Sequence, residues 1–348
     1  MKPINTVLCS FGMSGWVFHA PFITTQKGFS LYGVLERTKN LAAAKYPGIK
    51  TFRSLEEVLN DKEVELVVVN TPNATHYDFA KKALLADKHV VVEKPFTVTV
   101  KEGEELIKIA RDKNRILSVY QNRRFDSDFK TVRKVVEEKL LGDLVEVEIH
   151  YDRYKEELSP KMHKEGPGPG SGLLYDLGPH LIDQALQLFG WPQYIFADIE
   201  VMRPVAKVDD YFELLLYYNK MRVRLKASNV VREALPAYIL HGLKGSFIKQ
   251  KTDVQEEMLQ AGEIPGKENW GIEPTTQNGF LHTNINGKIV KENIPSPAAG
   301  NYGEYYEQIY KAIRENGPVP VTAEDGLRNV QVIEKAMQSS KEKKVIAL

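Results

Sequence analysis

Hydrophobic residues in the first third of the chain fall into short, continuous runs separated by polar segments. Five of these runs are valine-rich or largely apolar without strict alternation, and they span residues 4–9, 30–35, 64–70, 89–92 and 116–120. Continuous apolar runs of this length are typical of parallel strands that are covered on both faces. The pattern therefore predicts a buried parallel sheet in this part of the chain.

The segments between these runs have helical periodicity. Residues 75–86 and 100–113 carry apolar positions at helical intervals, and Ser54 followed by Glu57 has the spacing of a capping box at the start of a helix over 54–59. Alternating strands and helices predict a doubly wound open sheet.

The pattern changes after about residue 124. Residues 145–154 alternate strictly between apolar and polar, and residues 211–218 and 221–228 read as two strands joined by a two-residue turn at Asn219 and Lys220. Short strands are also predicted at 239–240 and 246–249, and a long loop at 155–172. Strict alternation indicates an antiparallel sheet with one covered face.

Composition limits the classes of function. The 348 residues include 47 basic and 46 acidic side chains, a net charge of +1, which argues against binding nucleic acid or a membrane surface through bulk charge. The single cysteine, Cys9, excludes an intrachain disulfide, and the eight histidines lack the paired spacing of a metal site. No run reaches the roughly 18–20 apolar residues of a membrane span. We therefore expect a soluble, cytoplasmic protein without a bound metal.

A glycine-containing turn follows the first predicted strand. The sequence of this turn is Ser10-Phe11-Gly12-Met13-Ser14-Gly15, which matches the dinucleotide-binding pattern GxGxxG with serine in the first position. Dinucleotide binding requires small residues in this pattern, because the backbone must approach the pyrophosphate and the following helix must pack closely on the strand.

An acidic residue stands at the end of the second predicted strand. Glu36 lies 21 residues after Gly15, near the expected spacing of about 20 for a carboxylate that binds the adenosine ribose. A carboxylate there favours NAD, since it repels the additional phosphate of NADP. Arg37, with Lys39 close by, leaves NADP open, because arginine in this position can hold that phosphate.

Three polar clusters lie where strands would deliver them to a cofactor crevice. The first is Asn70-Thr71-Pro72-Asn73 with His76, and the second is Glu93-Lys94-Pro95, directly after the 89–92 run. The third is Asp176-Leu177-Gly178-Pro179-His180, in the second half of the chain.

These clusters, in this order, resemble the Gfo/Idh/MocA family of glucose–fructose oxidoreductases, inositol dehydrogenases and rhizopine-catabolism proteins. The resemblance covers nearly the whole chain. Within the family, QNRRFDSDF (121–129) and LYDLGPHLIDQAL are similar to the subgroup that contains scyllo-inositol dehydrogenases. Ser10 departs from the usual glycine and affects only the details of phosphate binding.

The resemblance implies an α/β protein with an N-terminal Rossmann domain, residues 1–124, and a C-terminal α+β domain with a large, mostly antiparallel open sheet, residues 125–348. It implies Lys94, Asp176 and His180 as the catalytic set. Substrate contacts are expected from these three and from Arg153 and Tyr154, which could equally be packing residues of their strand. The expected cofactor-binding residues are Phe11, Gly12, Met13, Ser14, Gly15, Glu36, Arg37, Thr71, Pro72, Asn73, His76, Glu93, Lys94 and Asn122.

The residue types suit these roles. The near-neutral pKa of an unperturbed histidine lets His180 take up and return the hydroxyl proton. Lys94 can stabilise negative charge on the reacting oxygen. Asp176, four residues before His180, shares its helix face if both lie in a first turn, where Pro179 is tolerated. These three residues are predicted to converge near the nicotinamide C4 position.

The predicted activity is hydride transfer between NAD or NADP, with NAD favoured, and a secondary alcohol or ketone of a cyclitol or sugar. Two alternatives are a reductase of another aldose, ketose or carbonyl compound, and a dinucleotide-binding regulator without chemistry. The Lys94–Pro95 peptide bond is predicted to be cis. We also expect a homodimer or homotetramer, because Leu216, Tyr217 and Tyr218 make their part of the sheet apolar for a solvated face.

Overall fold

The chain forms two compact units in a computed structural model that describes residues 2–159 and 162–348. Each unit consists of three separate segments of the sequence, whereas the predicted domains have a single boundary after residue 124. The first consists of Met1–Asn122, Val254–Trp270 and Asn301–Arg328, and the second of Arg123–Asp253, Gly271–Gly300 and Asn329–Leu348.

Two sheets contain all fifteen named strands of the described residues. The first sheet contains β1 (Ile4–Leu8), β2 (Phe29–Leu35), β3 (Lys50–Phe52), β4 (Leu66–Val69), β5 (His89–Glu93) and β6 (Leu117–Tyr120). The second contains β7 (Leu144–His150), β8 (Tyr194–Glu200), β9 (Tyr211–Tyr217), β10 (Arg222–Ser228), β11 (Tyr238–Gly242), β12 (Gly245–Lys249), β13 (Gly279–Ile285), β14 (Lys288–Ile294) and β15 (Ile346–Ala347).

The helices connect these strands, and none in the described ranges is both long and apolar enough to cross a membrane. They are α1 (Ala20–Thr25), α2 (Leu41–Lys45), α3 (Leu55–Asn60), α4 (His76–Leu85), α5 (Val100–Asp112), α6 (Ser127–Glu137), α7 (Met162–Glu165), α8 (Leu173–Phe189), α9 (Gln255–Gln260), α10 (Gly303–Arg314) and α11 (Ala323–Glu342). A π-helical turn, Ser14–His19, runs directly into α1.

The first sheet is parallel throughout, in the order β3-β2-β1-β4-β5-β6. This order is that of a Rossmann fold, as predicted. Half of the predicted capping box of α3 is present, since the Ser54 hydroxyl accepts from the Glu57 N–H at 3.2 Å, whereas the Glu57 carboxylate accepts from the Arg53 N–H at 2.8 Å. Because all strands run the same way, their carboxyl ends lie along one edge of the sheet.

Aromatic packing explains why residues 301–328 belong to the first unit. Tyr305 and Tyr306 of α10 are fully buried, and their ring centroids lie 4.8 and 6.0 Å from that of Tyr120 at the end of β6. Tyr306 also packs edge-on against Phe29 of β2 at 5.5 Å. Buried aromatic pairs of this kind contribute on the order of 1 kcal/mol each beyond their buried area.

The second sheet has the order β14-β13-β12-β11-β7-β10-β9-β8-β15 and is antiparallel except where β7 pairs with β10. The predicted turn at Asn219 and Lys220 is confirmed by the hydrogen bond from Tyr218 N–H to the Met221 carbonyl, 3.1 Å. One face of β10 is buried, whereas Arg224 on the other face bonds Glu148 and Glu213 at 2.8 and 2.9 Å.

The open face of β9 is less apolar than predicted. Leu216 was expected to make the open sheet face apolar, but it is fully buried on the covered side of β9. The period of two in a strand places Leu216 on the face opposite to that of Tyr217. The expected homodimer or homotetramer stays a prediction.

Helix α8 begins earlier than predicted. The Asp209 carbonyl accepts from Leu173 N–H at 2.8 Å, and its carboxylate accepts from Leu174 N–H at 2.7 Å, so these bonds fix the helix start at Leu173. Pro179 therefore lies inside the helix rather than in its first turn. The predicted loop 155–172 also contains the short helix α7, and Pro160 and Lys161 lie outside the described residues.

Candidate active site

The glycine turn after β1 has a compact geometry in which serine replaces the first glycine. The Ser10 hydroxyl accepts from the Gly12 N–H at 3.2 Å, and the Ser10 carbonyl accepts from the Asn70 side chain at 2.9 Å. A Cβ on Gly15 would lie 2.4 Å from the Ser10 carbonyl oxygen, so close packing requires glycine there. Ser10 thus closes the turn through its side chain.

The requirement for glycine at position 12 differs from that at position 15. A Cβ at this position would meet Ser10 Oγ at 3.6 Å, an ordinary contact, so packing within the protein does not demand glycine. The residue is exposed at the carboxyl edge of the sheet. A small residue there fits the close approach of a pyrophosphate to the backbone.

The carboxylate of Glu36 is used within the protein. It accepts from the backbone N–H groups of Leu41 and Ala42 at 3.1 and 2.9 Å and is buried against the first turn of α2. Both oxygens thus cap a helix rather than face the ribose hydroxyls for which the residue was predicted. Arg37 and Lys39, in contrast, are exposed. The position of Glu36 therefore does not favour NAD over NADP.

His76 also has an internal role. Its Nδ1 lies 2.8 Å from the Pro95 carbonyl oxygen and its Nε2 lies 2.9 Å from that of Thr71, and the ring is buried. Burial lowers the pKa of His76 despite these two bonds. Both ring nitrogens are engaged by backbone, so His76 joins the loop after β4 to the loop after β5, and its predicted contact with the cofactor stays a prediction.

Lys94 follows β5 directly, and the Lys94–Pro95 bond is cis, as predicted. Its neighbour Glu93 makes several contacts within the protein. The Glu93 carboxylate accepts from Ser14 Oγ at 2.5 Å and from the Lys94 N–H at 3.1 Å, and it lies 3.0 Å from His19 Nε2. The Glu93 carboxylate thus joins the glycine turn to the residue that follows β5, and its predicted contact with the cofactor stays a prediction.

The remaining predicted cofactor residues lie after strands β1, β2, β4, β5 and β6, at the shared carboxyl edge of the first sheet. Open α/β sheets bind ligands at this edge. They are Phe11, Gly12, Met13, Ser14 and Gly15 after β1, Arg37 after β2, Thr71, Pro72 and Asn73 after β4, Lys94 after β5, and Asn122 after β6.

In the second unit, Asp176 lies in the first turn of α8 within an ionic cluster. Its Oδ1 is 2.5 Å from Lys164 Nζ, and its Oδ2 is 3.5 Å from a terminal nitrogen of Arg153. Arg153 is itself oriented by the Asn229 side chain at 2.9 Å. Lys164 was not predicted as a site residue, because it lies in the predicted loop and carries no motif of its own.

His180 follows Asp176 by one helical turn on α8 and is buried, 6% exposed. Its ring centroid lies 6.5 Å from that of Tyr151, which is also buried.

Tyr154 is oriented differently from Arg153: its hydroxyl donates to Glu156 at 2.7 Å and Arg232 covers its ring at 3.9 Å. This placement favours a surface role for Tyr154 over its predicted substrate contact.

Comparisons with known proteins agree with this architecture. The family description "Oxidoreductase family, NAD-binding Rossmann fold" matches residues 4–121, and "Oxidoreductase family, C-terminal alpha/beta domain" matches residues 133–348. The chain belongs to the Gfo/Idh/MocA oxidoreductase family. It is thus an NAD(P)-dependent dehydrogenase by family, and the regulator alternative is set aside.

Similar proteins extend over the full chain. The scyllo-inositol 2-dehydrogenase (NADP(+)) IolW of Bacillus subtilis is 40% identical, with 99% of this chain and 96% of IolW covered. The uncharacterized oxidoreductase YdgJ of Escherichia coli is 37% identical, with 99% of each chain covered. The crystal structure of a protein from Bacteroides fragilis is 48% identical, with a TM-score of 0.91 and 100% of each chain covered.

Proposed function

We propose that the protein transfers a hydride between NADP and a secondary alcohol or ketone carbon of a cyclitol or sugar. The observation that carries the proposal is the pair Asp176 and His180, one turn apart on α8, with Asp176 fixed by Lys164 and Arg153. An ionic cluster of Asp176, Lys164 and Arg153, with a histidine one helical turn after Asp176, suits a ligand that presents several hydroxyls.

Each side chain has a distinct task in this proposal. The bound nicotinamide supplies or accepts the hydride, so the protein handles the proton and the charge. His180 takes the hydroxyl proton during oxidation and returns it during reduction. Lys94 donates a hydrogen bond to the reacting oxygen as negative charge builds on it. Asp176 binds a neighbouring hydroxyl or orients the imidazole.

The substrate class is supported by IolW, whose name specifies scyllo-inositol as its substrate. A panel of inositol isomers, aldoses and simple alcohols, assayed with NAD and with NADP by absorbance of the reduced nicotinamide, tests the proposal. We expect turnover to be fastest on an inositol isomer or a pyranose. Turnover confined to small aldehydes or ketones would instead establish the alternative of a general carbonyl reductase.

The preference for NADP rests on the segment after β2. Glu36 is turned inward to cap α2, while Arg37 and Lys39 remain exposed beside it. Arg53, which is itself exposed, holds the segment by donating to the carbonyl oxygens of Glu36 and Lys39, both at 2.7 Å. An exposed guanidinium at the end of the second strand is suited to bind the 2′-phosphate.

We expect Arg37→Ala to lower kcat/KM for NADP by about 10- to 100-fold while leaving that for NAD nearly unchanged. Hydrogen bonds to charged groups contribute about 1.5–3 kcal/mol, and each 1.36 kcal/mol is a factor of ten. Steady-state kinetics with both cofactors measures this ratio. Lys62→Ala, which removes an exposed cation before the amino end of β4, serves as the control. A wild-type preference for NAD would contradict the proposal.

A further inference from the structure

A buried hydrogen-bond chain runs through Glu93 within the first unit. Glu93 Oε1 accepts from Ser14 Oγ at 2.5 Å and lies 3.0 Å from His19 Nε2, while His19 Nδ1 lies 2.6 Å from the Tyr306 hydroxyl. His19 and Tyr306 are both completely buried. The second oxygen of Glu93 accepts from the Lys94 N–H at 3.1 Å. One carboxylate therefore contacts both the glycine turn and the residue proposed to bind the reacting oxygen.

The π-helical turn Ser14–His19 explains how two residues five apart reach the same oxygen atom. In an α-helix such residues are rotated by about 140° from each other, because each residue adds about 100°. A π-helix instead bonds residue i to residue i+5, and the Ala20 N–H donates to the Gly15 carbonyl in this pattern. Ser14 and His19 then lie on one side of the turn, facing Glu93. Turns of this type occur frequently at functional sites.

The protonation states agree with a complete set of donors and acceptors. Burial acts to raise the pKa of Glu93, but His19, Ser14 and Lys94 outweigh it and lower the pKa to about 2, so the carboxylate is ionised and only accepts. Burial raises the pKa of Tyr306 well above its usual value, so its hydroxyl keeps its proton. The His19 ring joins these two groups, with Nδ1 at the Tyr306 hydroxyl and Nε2 at the Glu93 carboxylate.

We propose that His19 and Tyr306 are positioning residues, which act through Glu93 to hold the glycine turn and Lys94 in the arrangement that cofactor binding and turnover require. Displacements of about 1 Å at such positions can cost as much as 100-fold in rate. The effect on turnover rests on the proposed function, whereas the effect on cofactor affinity depends only on the Rossmann unit and is measured without substrate.

Two adjacent tyrosines of α10 provide a matched test. Tyr305 is as buried as Tyr306, but its hydroxyl contacts Ser118 Oγ at 2.7 Å instead of His19. Tyr306→Phe and Tyr305→Phe each remove one buried hydroxyl, so both should lower the melting temperature of the cofactor-free protein. Only Tyr306→Phe should raise the Kd of reduced cofactor, measured by fluorescence titration, and lower kcat, each by about three- to tenfold.

A double-mutant cycle separates positioning from a general loss of packing. If Tyr306 acts through Glu93, Tyr306→Phe should add little to the changes in Kd and kcat caused by Glu93→Gln, because the connection is already altered. Effects that multiply would overturn the proposal, as would a Tyr306→Phe variant whose Kd and kcat match those of Tyr305→Phe. If Lys94→Met retains full turnover, the proposed catalytic role of Lys94 is wrong. The positioning role of His19 and Tyr306 is then tested only by the Kd of the reduced cofactor in the Tyr306→Phe and Tyr305→Phe variants.

Discussion

Replacing His180 by alanine is expected to lower kcat by about 10²–10⁴-fold while the Kd of the cofactor remains nearly unchanged. General acid–base catalysis by a positioned side chain contributes a factor of this size. His180 is buried in the second turn of α8, beside Tyr151, in the second unit. The glycine turn and the other predicted cofactor contacts belong to the first unit, so their affinity for the dinucleotide should persist.

Pre-steady-state measurement of hydride transfer, together with a cofactor titration, checks this prediction. His150→Gln is the control, because His150 is equally buried in the second unit but lies between Glu148 and Asp152 on the sheet. That variant should lose stability and keep its turnover. Near wild-type kcat in His180→Ala on the true substrate would show that another group moves the proton.

The first sheet could be predicted because its strands carry their own signal. The valines of β4 and β5 are buried on both faces, and such runs permit few other interpretations. The three-residue β3 and the mostly exposed β14 were not predicted, because they lack a run of buried apolar residues. Edge strands bury few side chains, so their sequences show little hydrophobic pattern.

The assembly of the first unit from three segments could not be predicted from local patterns. Residues 254–270 and 301–328 join it through contacts with residues far away in the sequence, such as those of Tyr305 and Tyr306 with Tyr120. Sequence periodicity indicates that a helix has an apolar face but not which surface covers that face.

At the candidate site, side-chain roles that depend on residues distant in the sequence could not be predicted, whereas local ones could. The spacing rule located Glu36 at the end of β2, yet the rule cannot reveal that two N–H groups of α2 would take its carboxylate. His19 carried no motif, because its partner Glu93 lies 74 residues away in the chain. The glycine turn, in contrast, depends on adjacent residues and was recognisable from Gly12 and Gly15.

Lys94→Met is expected to lower kcat by about 10²–10³-fold with little loss of stability. Removing one preformed donor to a developing oxyanion has a cost of this size, and methionine retains most of the apolar stem. Lys94 is partly exposed at the carboxyl end of β5, where its ammonium can reach a ligand. Cofactor affinity should fall only severalfold, because the Lys94 N–H still donates to Glu93 and keeps the backbone in place.

Lys88 provides the matched comparison, since it precedes the same strand at its amino end. Its Nζ donates to the carbonyl oxygens of Asp61 and Val64 at 2.8 and 2.9 Å, and the side chain is buried. Lys88→Met leaves both carbonyls without this donor, so it should destabilise the protein by about 1–3 kcal/mol and leave kcat intact. Chemical denaturation and steady-state kinetics on both variants measure the contrast. A loss of kcat in Lys88→Met equal to that in Lys94→Met would mean that disturbing β5, rather than removing the ammonium of Lys94, impairs the reaction.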